Sequence, residues 1–177
     1  GAKTAAILLA EAASAAGKYI QGFPEYGPER MGAPILAFNR ISDEPIRLHC
    51  HVSRPQVVVV LDPTLIGKAG IADGLPSDGV VIVNSPKPPA EVRRMLGLKS
   101  GKVYCVDASG IALDTLGRDI PNTPMMSALM KVTGLIDFEE FMKLMREQLE
   151  HKFKSKADVV EGNMAALSRG YREVQGE

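Results

Sequence analysis

Apolar residues form three continuous β-branched runs, at residues 57–61, 80–84 and 103–107. Such runs are typical of strands that are covered on both faces by helices. Helical or turn-rich intervals separate them, as βαβ crossovers require. The pattern therefore predicts an α/β domain with a mostly parallel sheet, and residues 57–61 are expected to form its central strand.

The first fifty residues carry a different pattern. Residues 4–16 are rich in alanine and leucine and are followed by Gly17, which predicts a helix that ends there. Short apolar segments at residues 19–23 and 35–41 predict two strands. Residues 42–45 have the composition of a turn, so residues 46–52 are expected to return as an antiparallel strand and to make the sheet mixed.

The second half of the chain is mainly helical in pattern. Helices are predicted at residues 90–96, 110–116, 124–133, 138–152 and 159–174. The last carries an apolar stripe formed by Val160, Met164, Leu167, Tyr171 and Val174. Its spacing suits either a seam against one partner helix or packing inside this chain, and the second is the commoner arrangement. Together the elements predict a Rossmann-like three-layer α/β/α sandwich with a helical C-terminus.

Composition narrows the class of protein. The chain has 177 residues, 45% of them hydrophobic, which is enough for one buried core, so residues 1–177 are expected to be a single domain. Lys+Arg and Asp+Glu are equal at 21 each, so no long-range field favours nucleic acid or an anionic membrane. Without a long apolar run or a leader, we expect a soluble cytoplasmic protein. The cysteines Cys50 and Cys105 cannot supply an iron–sulfur cluster with four thiolates.

Several patterns suggest chemistry only weakly. Gly1 and Lys3 resemble the end of a phosphate loop, but the strand and first glycine that this motif needs are not seen before them. His49 and His51 would share a strand face as a metal pair, but a third ligand is missing. Polar residues that follow the strand runs suit either a site at the sheet edge or helix caps, and caps are favoured. They are Asp62, Asn84, Ser85 and Asp107.

Methionines on the C-terminal helices are interpreted as core filler rather than as a partner surface. They are Met125, Met126, Met130, Met142 and Met145. Asn122 and Thr123, in a rigid Pro-Asn-Thr-Pro run, could contact a neighbouring subunit or cap the following helix, and capping is favoured.

The loop at residues 25–34 concentrates rigidity, charge and an aromatic ring between two strands. Its prolines and glycines restrict the backbone, which preorganises contacts. Arg30 presents a planar fork suited to a carboxylate or phosphate, and Glu25 and Glu29 can hold that fork. The candidate residues of this loop are Glu25, Tyr26, Gly27, Pro28, Glu29, Arg30, Gly32 and Pro34.

This loop resembles the signature of the gamma subunit, or equivalent domain, of the 2-oxoacid:ferredoxin oxidoreductases. Residues 1–6, 121–125 and 169–174 agree with that family in kind and order, so the resemblance covers nearly the whole chain. The Glu25-Tyr26 start is more similar to pyruvate-type members than to 2-oxoglutarate-type ones. The implied activity is oxidative decarboxylation of a 2-oxoacid with coenzyme A to acyl-CoA, CO2 and reduced ferredoxin.

The resemblance also implies cofactors and partners. In the family, thiamine diphosphate with Mg lies between the alpha and beta subunits, and 4Fe-4S clusters lie on beta and delta. The gamma component packs near the coenzyme A approach. This chain would then bind no cofactor alone, carry no catalytic residue or metal ligand, and act with alpha, beta and delta subunits and ferredoxin. Arg30 would be its anion-contacting residue.

Two other hypotheses remain at this point. The chain could be a stand-alone nucleotide- or coenzyme A-binding α/β domain, or its loop could be purely structural. The family has a strand and a glycine-rich turn immediately ahead of the position of Gly1, so we expect the natural protein to have a first strand there.

Overall fold

The computed structural model of the chain describes residues 1–25, 35–68 and 70–177. Its helices are α1 (Ala2–Ala15), α2 (Pro89–Leu96), α3 (Ala108–Leu116), α4 (Asn122–Thr133), α5 (Phe138–Lys152) and α6 (Ala157–Glu173), with a short 3-10 helix at Pro63–Leu65. Its strands are β1 (Tyr19–Glu25), β2 (Leu36–Ser42), β3 (Val57–Val60), β4 (Val80–Asn84), β5 (Lys102–Val106) and β6 (Gln175–Gly176). No helix of the described ranges combines the length and the apolar character needed to cross a bilayer.

The main sheet has four strands in the order β3-β4-β5-β6. The first three are parallel and β6 joins β5 antiparallel, so the predicted mixed, mostly parallel sheet is confirmed. The position of β3 was predicted wrongly. Within the described part of the chain, β3 lies at one edge and β4 is the better-buried strand. A β-branched run cannot distinguish the two positions, and Val59 is 37% exposed.

Alternate residues of the sheet enter two separate cores. Ile82 and Val106 face the larger core, which helices α1, α3, α4, α5 and α6 cover. Val81 and Val83 face the smaller one, which contains residues of α2 and of the loop that follows β3. This alternation is the two-residue period of a strand, and both faces are covered. The three-layer α/β/α sandwich predicted from the sequence is confirmed.

The apolar stripe of α6 lies in the chain's own core. Val160, Met164 and Leu167 are buried there, and Tyr171 stacks on Phe138 of α5 with ring centroids 3.7 Å apart. The methionines predicted as core filler are buried or packed against the same core. The stripe therefore serves internal packing rather than a seam against a partner.

The strand predicted at residues 46–52 does not form. The described residues have no regular structure there, and β2 pairs with β1 instead. The guanidinium of Arg40 donates to the carbonyl oxygen of Cys50 (3.0 Å), and the side-chain amide of Gln21 donates to that of Leu48 (2.9 Å). Side chains rather than a strand partner therefore bind the carbonyl oxygens of Leu48 and Cys50, and the Leu48 side chain is 60% exposed.

Candidate functional site

The loop at residues 25–34 connects the two strands of an antiparallel hairpin. The register runs from Tyr19 opposite Ser42 to Glu25 opposite Leu36, and neither strand joins the main sheet in the described residues. Glu25 is the last residue of β1. The other loop residues singled out from the sequence lie outside the described residues, so their predicted roles stay predictions. They are Tyr26, Gly27, Pro28, Glu29, Arg30, Gly32 and Pro34.

Helix α1 holds one face of this hairpin. The side-chain amide of Asn39 donates to the carbonyl oxygen of Ala6 at 3.0 Å, which joins β2 to the middle of α1. Gly22, opposite Asn39 in the register, leaves room for this side chain, because a Cβ there would lie 2.9 Å from Asn39 Oδ1. The Oδ1 atom itself is buried and has no partner among the described residues. The hairpin is therefore fixed relative to the helix by a specific polar contact.

Residues 46–52 cover the other face. The Arg40 side chain contacts Gln21 across the hairpin, and both side chains also bind carbonyl oxygens of the covering segment. The His51 ring meets the Phe23 ring edge-on, with centroids 6.2 Å apart. The described residues contain no group of three His, Cys, Asp or Glu that could hold a metal ion. The packing of His51 on an aromatic ring gives it a structural role.

The carboxyl ends of the parallel strands carry a buried amide. Asn84 is 2% exposed, and its Nδ2 donates to the carbonyl oxygen of Leu61 and to Ser109 Oγ, both at 2.9 Å. Its Oδ1 accepts from the Ser109 backbone N–H at 3.1 Å. The amide thus ties the end of β3 to the start of α3. Because these bonds saturate most of its capacity, Asn84 organises this edge of the sheet rather than awaiting a ligand.

The acidic residues at the strand ends are caps, as the sequence favoured. Asp107 accepts from the Gly110 backbone N–H (2.9 Å) at the start of α3. Asp62 accepts from the Thr64 N–H (2.9 Å) at the start of the 3-10 helix, and hydrogen bonding by the Thr64 side chain, followed by that of its backbone N–H, lowers the pKa of the Asp62 carboxyl. Both stabilise helix starts by satisfying backbone donors.

Asn122 and Thr123 do not cap α4. The capping position belongs to Pro121, which makes no side-chain cap bond, and the two residues lie inside the first turn. They are 7% and 5% exposed. Thr123 Oγ1 donates to Asn163 Oδ1 at 2.8 Å, and Asn163 Nδ2 donates to the Val159 carbonyl oxygen at 2.7 Å. The cap prediction was wrong because α4 begins at Asn122 rather than at Pro124, and because α6 supplies a partner for Thr123.

A groove of about 360 Å³ brings the hairpin and the start of α4 together. Asn39 and Asn122 both line it, between α1 and β3. The Oδ1 atom of each is buried without a partner among the described residues. Sequence reasoning missed Asn39 and Asn163. The signal that could have singled out Asn163 is its place beside the apolar stripe of α6, while Asn39 stands next to Arg40 and Ser42 in β2 and has no such signal.

Comparison with known proteins identifies the family. A family model described as pyruvate ferredoxin/flavodoxin oxidoreductase matches residues 1–173. The chain belongs to this family. It is 50% identical over 175 residues to a protein of Thermotoga maritima called pyruvate synthase subunit PorC, covering 99% of this chain and 89% of that protein. It is 44% identical to the pyruvate/ketoisovalerate oxidoreductases common subunit gamma of Pyrococcus furiosus, over 99% of this chain and 91% of the relative.

Solved structures of the family agree with the fold. The crystal structure of pyruvate oxidoreductase subunit PORC from Thermotoga maritima superposes with a TM-score of 0.85 at 47% identity, covering 100% of this chain and 92% of that one. The gamma subunit of a keto/oxoacid ferredoxin oxidoreductase from Geobacter sulfurreducens has a TM-score of 0.69 at 23% identity, covering 96% and 89%, and supports the fold alone. The resemblance proposed from the sequence is thus confirmed at the level of the family and its fold.

Proposed function

We propose that this chain is the gamma subunit of a pyruvate-type 2-oxoacid:ferredoxin oxidoreductase. The observation that carries the proposal is the end-to-end similarity to the Thermotoga maritima PorC subunit, at 50% identity over 99% of the chain. In the complex, a 2-oxoacid and coenzyme A are converted to acyl-CoA and CO2, and the electrons pass to ferredoxin. The similarity favours this role over a stand-alone nucleotide- or coenzyme A-binding domain.

The redox chemistry would belong to other subunits. Of the two cysteines, Cys50 is exposed and Cys105 is buried, and burial raises the pKa of the Cys105 thiol to about 11. A thiol in that state is a poor metal ligand, because ligation requires the thiolate. The described residues therefore do not fit an iron–sulfur cluster. We propose that alpha, beta and delta subunits hold thiamine diphosphate, Mg and the 4Fe-4S clusters, in the cytoplasm, and that none of the catalytic steps passes through this chain.

The contribution of this chain would be a preorganised contact surface. The hairpin is fixed on one face by Asn39 and α1 and on the other by Arg40 and residues 46–52. Because both faces are held, the strand ends that carry the loop have a defined position. We propose that the loop at residues 25–34 borders the thiamine diphosphate and coenzyme A sites of the partner subunits. Arg30 would contact an anionic group there, since a guanidinium binds carboxylates and phosphates in a bidentate manner.

Substrate choice would lie on other chains. The Pyrococcus furiosus relative bears the name of a subunit common to pyruvate and ketoisovalerate oxidoreductases. One gamma-type chain that serves two oxidoreductases cannot by itself select between their 2-oxoacids. We therefore expect that exchange of this chain for that relative in a reconstituted complex changes the turnover number but leaves the ratio of kcat/KM for pyruvate and ketoisovalerate unchanged.

The test is reconstitution of the complex with variants of this chain. Arg30→Ala should lower pyruvate-dependent ferredoxin reduction or the yield of assembled complex, while the isolated variant keeps its circular dichroism spectrum and melting temperature. Arg118→Ala, which removes an exposed arginine of the loop between α3 and α4, is the matched control and should have no effect. Unchanged steady-state kinetics and assembly for Arg30→Ala would refute the role of the loop.

A second measurement tests the subunit assignment itself. Affinity purification of this chain from its native host should recover larger subunits with iron–sulfur absorbance. Calorimetry on the isolated chain should show no tight binding of coenzyme A. Tight binding by the chain alone, together with no co-purifying subunits, would overturn the assignment in favour of a stand-alone binding domain.

A further inference from the structure

The edge of β5 is covered by a very short strand. One side of β5 pairs with β4, and Gln175 and Gly176 pair antiparallel with Cys105 and Tyr104 on the other. A two-residue ladder contributes few hydrogen bonds, and both of its strap residues are exposed. Without it, the β5 backbone would present unpaired donors and acceptors, which is the feature by which sheet edges pair with other chains. We call residues 175–177 the edge strap.

A single charge pair holds the edge strap in place. Arg93 Nε donates to the two carboxylate oxygens of Glu177 at 2.7 and 2.9 Å, and a second guanidinium nitrogen contacts the same carboxylate. That nitrogen also donates to the Gly101 carbonyl oxygen at 2.6 Å, so the turn before β5 orients the fork. The Arg93–Glu177 pair thus holds the chain beside β5 at the end of the two-residue ladder.

Packing beneath the strap is close. A Cβ at Gly176 would lie 2.3 Å from the Tyr104 ring, so the ring rests directly against the strap backbone. Cys105, paired with Gln175, is only 3% exposed. The apolar neighbours of Cys105 belong to the smaller core, and its backbone pairs with Gln175 of the strap on the side of β5 away from β4. We expect opening of the strap to expose the edge of β5 at Cys105, so the reactivity of this thiol can be used to follow the opening.

We propose that the edge strap opens as a unit while the rest of the chain stays folded, and that the Arg93–Glu177 pair sets how often it opens. Opening uncovers the β5 edge and the Cys105 thiol together. Short, solvent-exposed ladders are the segments that open locally at low free energy in native proteins. Closed, the strap pairs with the β5 backbone; open, it leaves that backbone without a partner on this side.

The experiment measures the native-state reactivity of Cys105. Because the chain has two cysteines, Cys50→Ser leaves Cys105 as the single thiol, and its reaction with 5,5′-dithiobis(2-nitrobenzoate) can be followed at fixed pH. In this background, Arg93→Ala and Glu177→Gln should each raise the labelling rate about tenfold, the effect expected for the loss of a partly shielded charge-assisted pair. Arg93→Lys should give an intermediate rate.

The matched control is Arg146→Ala. It removes a similar fork, in which Arg146 binds Glu161 at 2.6 Å on the helical side of the chain, and it should leave Cys105 labelling unchanged. The circular dichroism spectrum confirms that each variant is folded. The proposal is overturned if Arg93→Ala labels no faster than Arg146→Ala. It is also overturned if the labelling rate of every variant rises with urea as steeply as global unfolding does, since a local opening exposes little surface and has a shallow urea dependence.

Discussion

Replacement of Gly170 by alanine should weaken the contact between α4 and α6. A Cβ at this position would lie 2.3 Å from the Pro124 carbonyl oxygen, 2.7 Å from Pro124 Cα and 2.5 Å from Ser127 Oγ. Two of these atoms belong to the backbone of α4, so the helices must separate rather than one side chain rotate. Such overpacking costs about 3 kcal/mol at the upper end of its usual range. Alanine regains about 1 kcal/mol of helix propensity over glycine, which leaves a net loss of about 2 kcal/mol.

The assay is thermal and urea unfolding of the purified variant. For a chain of this size, a loss of about 2 kcal/mol should lower the melting temperature by roughly 4–8 °C. Ala165→Gly, at an exposed site on the same helix, measures the effect of helix propensity alone and should lower the free energy of unfolding by about 1 kcal/mol. A Gly170→Ala variant that melts at or above the temperature of the unmodified chain would show that α4 and α6 do not approach as closely as described.

Three further changes test other contacts. Thr123→Val keeps the shape of the side chain but leaves the buried Asn163 Oδ1 without its hydroxyl donor, so the free energy of unfolding measured in urea should fall by about 1–3 kcal/mol. Asp107→Ala removes the cap of α3 and should cost about 1 kcal/mol by thermal unfolding. The hydrogen bond from Arg169 lowers the pKa of the Glu173 carboxyl. The stabilisation by this ion pair is therefore present above the usual carboxyl pKa and is lost as the pH falls through the lowered pKa. Glu173→Gln should make the melting temperature less dependent on acid pH.

Each of these has a result that contradicts it. A Thr123→Val variant as stable as the parent would mean that the polar pair adds nothing to the α4–α6 contact. An unchanged melting temperature for Asp107→Ala, compared with Asp119→Ala in the loop that follows α3, would remove the capping role. If the melting temperature of Glu173→Gln falls at low pH as steeply as that of the unmodified chain, the ion pair is fully screened by solvent.

The predictable part of the fold is the part that local chemistry specifies. Gly97, Gly117 and Gly134 end α2, α3 and α4 with a left-handed residue, and the apolar runs of β4 and β5 give the parallel core. Residues 46–52 were predicted wrongly because the turn composition of residues 42–45 indicates a change of chain direction but not the partner of the backbone that follows. Here Arg40 and Gln21 supply that partner from a distance, and no local pattern reveals this.

The candidate site was predictable to a lesser extent. The composition of the loop at residues 25–34 singled it out, and the cap at Asp107 followed from its place before a helix. The hydrogen-bond partners of Thr123 and Asn39 could not be predicted from the sequence, because they lie far away along the chain. Thr123 binds Asn163 of α6, 40 residues away, and Asn39 binds Ala6 of α1, 33 residues away. Such pairings depend on how the helices pack on the sheet, which is decided by shape and not by periodicity.

In the part of the chain that the structure describes, the hairpin is not part of the main sheet, so a movement of α1 at its contact with the hairpin is transmitted to the end of the hairpin. Its Glu25–Leu36 end lies three paired positions, roughly 10 Å at the usual rise of a strand, beyond the Gly22–Asn39 pair that contacts α1. A tilt of α1 by about five degrees would therefore move that end by about 1 Å. Whatever docks against α1 can thus reposition the loop without touching it, and stiffening the Asn39–Ala6 junction would be the way to uncouple the two.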